Sequence, residues 1–70
     1  MIITLTTDMG ISDFYVASIK GSILKELPEV NIIDISHVIR PFDILHASFV
    51  IKNCFKDFPK GNIHIIGINP

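Results

Sequence analysis

The chain contains a single cysteine, Cys54, so no internal disulfide can brace it, and no CxxC or paired Cys/His spacing offers a zinc site. Cys54 reads as a small buried apolar residue. Charge is scarce too: six Lys and Arg stand against seven Asp and Glu, and the net charge of −1 is scattered without a basic stripe or an acidic block. This pattern argues against partners such as nucleic acid or an anionic membrane. No apolar run approaches the roughly 18 residues of a membrane span, and no charged leader precedes the first apolar run at Ile2. A soluble, cytoplasmic protein is the expectation. Also missing are GxGxxG and GxxxxGK[ST], so a conventional dinucleotide or nucleoside triphosphate site has no direct support.

What is present is strongly apolar: 49% of the 70 residues are hydrophobic and the mean hydropathy is +0.51. A domain of this size buries only about 60% of the surface of its unfolded chain, which makes for a small core. Three isoleucine-rich segments bounded by turn residues predict strands: Ile2 to Thr6, Asn31 to Ile35 and Asn62 to Ile68. Two segments of helical periodicity separate them. The first runs from about Phe14 to Leu27, with Phe14, Ala17, Ile23, Leu24 and Leu27 available for one stripe, Ser12 or Asp13 as its cap, and Pro28 beyond its end. The second starts after Asp43, carries Ile44, Ala47, Phe49, Val50, Ile51, Cys54 and Phe55, and is broken by Pro59 and Gly61.

Strand, helix, strand, helix, strand is the signature of an α/β fold with right-handed crossovers, a Rossmann-like βαβαβ unit with a parallel sheet. Parallel strands are apolar on both faces, and two helices cannot cover three of them thoroughly. The chain is therefore expected to be the opening part of a larger α/β domain, or to need a partner that completes its core.

In such sheets ligands collect beyond the carboxyl ends of the strands. Three loops reach that edge: Thr7 to Asp13, Ser36 to Asp43, and Asn69 with Pro70. Asp8 would repel a phosphate, but its carboxylate suits the paired hydroxyls of a ribose; closing a local turn is an equally good account of it. Asp13 could hold a cation or ammonium, although helix capping explains it better. In the second loop, DISHVIRPFD, Asp34 and His37 could be imagined on a metal, but two candidates without a third are weak, and a histidine bonded to the loop backbone is the better expectation. Arg40 could bind an anion or remain a solvated charge. Phe42 could pack on a flat or sugar-like ligand, or staple the second helix. His46 and His64 fall inside elements and read as structural, neither having a Ser or Cys at triad spacing.

Taken together, LTTDMGISDFYV, KGSIL, VNIIDISHVIRPFDI and FPKGNIHIIGINP resemble, over essentially the whole chain, the N-terminal portion of the S-adenosylmethionine hydroxide adenosyltransferases, the family that includes the fluorinase and chlorinase. The resemblance implies a nucleoside-binding α/β domain at residues 1–70, followed in the family by a smaller β-rich domain that this chain lacks, and a homotrimer in the full-length protein. It implies S-adenosylmethionine as substrate, cleaved by in-line attack of water or halide on the ribose 5′ carbon with methionine leaving, and no metal or cofactor. Position by position, Asp8 matches the aspartate on the ribose hydroxyls, Asp13 an acid near the methionine end, and Phe42 an aromatic lining the ribose pocket. A cationic sulfonium substrate with a free ammonium fits carboxylates better than lysines.

Two positions depart from the family pattern. Met9 replaces the usual Phe or Leu, and Asn69 stands where hydrolytic members usually carry an aspartate before Pro-Gly, one of an Asp, Arg and His set thought to activate water. Asparagine can orient a nucleophile but cannot take its proton. Asn69 is thus the catalytic candidate, and the alternative reading is a nucleoside-binding or assembly module that has lost the chemistry. A phosphoacceptor domain built on Asp8 is disfavoured, because residue 7 is not acidic and no lysine follows the third strand.

Overall fold

The computed structural model describes residues 1–69, so the expected loop position at Pro70 lies outside the described residues. Five principal elements follow in the predicted order: β1 (Ile2–Thr7), α1 (Tyr15–Glu26), β2 (Asn31–Ser36), α2 (Ile44–Cys54) and β3 (Ile63–Gly67), with a short 3-10 turn at Phe55–Asp57. The fold is α/β and Rossmann-like. β1 lies between β2 and β3 and pairs parallel with both. Because the chain first steps from β1 to β2 and then crosses back past β1 to β3, right-handed connections place the two helices on opposite faces.

The faces can be read from register. Leu5 pairs with Asp34 and Ile65, whereas Thr6 pairs with Ser36 and Ile66. Lys20 of α1 reaches Asp34, so α1 serves the Leu5 face, and α2 closes with Ile66 around a cavity lined by Ile44, Ala47 and Ser48 on the Thr6 face. Buried apolar side chains are few: Ile3, Leu5, Ile39 and Ala47. Thr4, Thr6 and Thr7 are buried beside them, so three of the central strand's five buried residues are polar. Burying Leu5, which is 0% exposed, stabilises the fold by roughly 2 kcal/mol.

The helices depart from expectation at one end and on one face. Phe14, not Ser12 or Asp13, is the N-cap of α1, and it makes no side-chain capping bond; Asp13 instead has a left-handed backbone, φ 68°. The half-buried positions of α1 are Val16, Ile19, Lys20 and Ile23, a stripe at i, i+3, i+4 and i+7 that shares only Ile23 with the expected one. Phe14, the N-cap, and Leu24 turn outward, 63% and 42% exposed. α2 begins as expected, with the Asp43 carboxylate accepting from the His46 amide at 2.9 Å.

One irregularity matters for the site. The pairing of β1 with β2 shifts between Leu5 and Thr6, passing over Ile35. This bulge puts Asp34 and His37, three residues apart, on the same face, and sets His37 beside Thr7. No helix among the described residues is long and apolar enough to cross a membrane.

Candidate functional site at the carboxyl edge of the sheet

The site is assembled around Asp8, the first residue past β1. Its Oδ2 accepts from the backbone amides of Phe42 at 3.0 Å and Asn69 at 3.2 Å. Its own amide donates to the Gly67 carbonyl at 3.3 Å. A carboxylate that could have closed a local turn therefore ties together the loops after all three strands. Three of the four candidates, Asp8, Phe42 and Asn69, meet in this way. Asp13 does not join them; it lies on the exposed segment before α1.

Oδ1 of Asp8 is different. It is buried yet has no hydrogen-bond partner among the described residues. A buried, unpaired carboxylate oxygen is costly and calls for a donor. Asp8 also lines a cavity of about 390 Å³ with Met9, Tyr15 and Asn69, within the size range of small-molecule pockets. The expectation that the carboxylate takes the paired hydroxyls of a ribose is narrowed, since Oδ2 already accepts from two amides and Oδ1 is the oxygen without a donor among the described residues.

Phe42 carries the backbone signature of a constrained position. Its φ of 64° is left-handed, which costs a bulky residue on the order of 1–3 kcal/mol. The Asp8 carboxylate, by binding its amide, helps hold that conformation. The ring is 67% exposed at the edge, so it is not a buried staple for α2. Tyr15, at the first turn of α1, was passed over in reading the sequence; the only signal was an aromatic directly after the acid-bearing loop. Its ring lies 4.8 Å from that of Phe14.

Beside the cavity runs a chain of side-chain bonds. The Thr7 hydroxyl lies 2.7 Å from His37 Nδ1, His37 Nε2 is 2.8 Å from Asp34 Oδ1, and Lys20 Nζ is 2.7 Å from Asp34 Oδ2. His37 is only 6% exposed. The expected bond from its ring to loop backbone is replaced by bonds to Thr7 and Asp34; only its carbonyl engages backbone, accepting from Gly10 at 2.7 Å. The Lys20 ammonium first, and His37 second, hold the Asp34 carboxyl below the usual carboxylate range. The described residues contain no group of three or more potential metal ligands.

The remaining polar groups are structural. Arg40, largely exposed, pairs through Nε with Asp43 at 3.0 Å, and the Arg40 amide donates to His46 Nδ1 at 2.9 Å. The His46 amide first, then Arg40, keep the Asp43 carboxyl below its ordinary value. His64 bonds the Thr4 hydroxyl and meets the Phe58 ring edge-on at 5.5 Å.

A parallel sheet with an acid at the point where strand order reverses defines a Rossmann-like α/β unit, a class of fold that takes its ligands at that edge. The chain belongs to the S-adenosylmethionine hydroxide adenosyltransferase family: the family model of the SAM hydroxide adenosyltransferase N-terminal domain matches residues 3–70. It is 45% identical over 73 aligned positions to the (R)-S-adenosyl-L-methionine hydrolase of Methanocaldococcus jannaschii, covering 99% of this chain and 27% of that protein. It is 37% identical to the fluorinase of Nocardia brasiliensis, over 89% of this chain and 21% of the fluorinase. Among solved structures, an uncharacterized conserved protein from Thermotoga maritima superposes with a TM-score of 0.86 at 36% identity, covering 94% of this chain and 25% of that one. The chain thus spans about a quarter of the length of these relatives.

Proposed function

We propose that the protein containing this chain cleaves S-adenosylmethionine, with water or a halide attacking the ribose 5′ carbon in line with the sulfonium. The new bond forms at the 5′ carbon as the carbon–sulfur bond breaks and methionine leaves as a neutral thioether; water gives adenosine with one proton passing to solvent, and halide gives the 5′-halo-5′-deoxyadenosine with no proton released. The observation that carries this reading is the Asp8 carboxylate at the switch point, one oxygen held by the Phe42 and Asn69 amides and the other buried and unpaired. An oxygen with lone pairs to fill, beside a small cavity, suits a hydroxyl donor such as the ribose diol.

In this reading Asp8 binds the ribose, the Phe42 ring packs on it, and Asp13 faces the ammonium of the methionine end. Asn69 orients the nucleophile by hydrogen bonding without taking its proton. Residues 1–70 are the nucleoside-binding part of a larger α/β domain, and a β-rich domain completes the site. The enzyme works as a cytoplasmic homotrimer without metal or cofactor. Catalysis is preferred to binding alone because the relatives are named for a hydrolase and a fluorinase.

Adenosine release from S-adenosylmethionine, followed by liquid chromatography on the full chain, tests the proposal. Adenosine and methionine should accumulate in equal amounts, or halo-adenosine when chloride or fluoride is supplied. Product formation at the background rate would remove the catalytic reading. Because general-base assistance contributes about 10²- to 10⁴-fold, Asn69→Asp should accelerate the water reaction.

A further inference from the structure

We infer that His37 is a positioning residue for Asp8, acting through the hydroxyl of Thr7. The inference rests on the reading of Asp8 as the ribose acceptor and names how its loop is held. The directions of the hydrogen bonds determine one another. The Asp34 carboxylate only accepts, so His37 Nε2, 2.8 Å away, carries the proton. With the imidazole neutral, Nδ1 is then the acceptor, and the Thr7 hydroxyl donates its proton to it across 2.7 Å. That leaves the lone pairs of Thr7 Oγ1 for the Met9 amide at 3.2 Å, the first backbone donor after Asp8. Every donor in the series Met9, Thr7, His37 finds an acceptor, and Lys20 anchors the far end by its bond to Asp34.

The backbone agrees with the side chains. Gly10 donates to the His37 carbonyl and Ile39 donates to the Thr7 carbonyl, so the loop after β1 is fastened to the loop after β2 on both sides of Asp8. The bulge at Ile35 makes this possible by bringing His37 alongside Thr7. Thr7 is 1% exposed, which rules out a nucleophile at that hydroxyl and leaves orientation as what the series can do.

The two arms of the imidazole can be separated by substitution. Asn places an acceptor where Nδ1 sits and keeps the Thr7 arm; Gln places a donor where Nε2 sits and keeps the Asp34 arm. Adenosine affinity measured by calorimetry on the full chain should stay within about twofold in His37→Asn and weaken at least about tenfold in His37→Gln. Exchange of the Met9 amide should remain slow in the first variant and quicken in the second. Thr7→Ser and Thr7→Val form a second pair with the same expected contrast, available where a His37 variant does not fold. Equal losses in both members of a pair, or an innocuous His37→Gln, would overturn the inference. If the unmutated protein does not bind adenosine, the ribose reading fails, and Met9 exchange alone then decides: the same contrast supports positioning by His37, and identical exchange in both members refutes it.

Discussion

At the carboxyl edge of the sheet, polar side chains are bonded, His37 to Thr7 and Asp34 and Asp8 to Phe42 and Asn69, and His37 and Thr7 are buried. On the faces of the same sheet, apolar side chains lie open, with Ile33, Ile63, Ile65 and Ile66 between 37% and 47% exposed. Hydrogen bonds are short-ranged and local, so three adjacent loops can satisfy one another within the unit. Apolar burial needs area, and two helices covering three strands do not supply it. The loops at the edge satisfy most of their hydrogen bonds within the unit, Oδ1 of Asp8 excepted, while the faces stay partly open.

The substitution expected to do most damage is Leu5→Ala, in the one strand covered on both sides. It should cost about 2–5 kcal/mol, enough to unfold a unit of this size, and a urea titration followed by circular dichroism would show the loss. Next is Asp8→Asn, which sharpens the contrast by separating site from scaffold. The amide oxygen can still accept from Phe42 and Asn69, but the free acceptor becomes a donor. Nucleoside affinity should fall by roughly 100-fold, about 3 kcal/mol, with the fold retained. Calorimetry with adenosine measures it; unchanged affinity would place the ligand elsewhere.

Ile65→Ser probes the faces directly. In the 70-residue unit, where Ile65 is 37% exposed, the change should cost about 1–2 kcal/mol, and in the full chain about 1 kcal/mol more if the face is covered there. Equal effects in both would break the comparison. The smallest effects concern Asp34 and Asp43. Both carboxyls are held below their unfolded values, so their contribution is present above about pH 4 and is lost as pH falls through the folded-state values. Thermal unfolding of Asp34→Asn should accordingly be less sensitive to pH below about 4 than that of the unmutated chain.

Much of this was legible in the residues. β-branched runs between turn residues marked three strands, and Asp43 ahead of an apolar helix marked the start of α2, because these signals are local. The acid after β1 was legible as a site candidate because parallel sheets place ligands at that edge. Illegible were the cap of α1, the stripe α1 presents, and the bulge at Ile35, each of which depends on how elements pack rather than on neighbours in sequence. His37 shows the limit: a histidine in a loop announces no partner, and the hydroxyl it binds is thirty positions away.

By itself, then, the sequence determined the order and type of the elements, their parallel arrangement and the family, since periodicity and motif are properties of the chain. Only the tertiary structure decided that one oxygen of Asp8 is committed to holding loops together and the other is free, and that Phe42 and Asn69, but not Asp13, meet there. A hydrogen bond is decided by distance and direction in space, and neither is written in the spacing of residues along the chain.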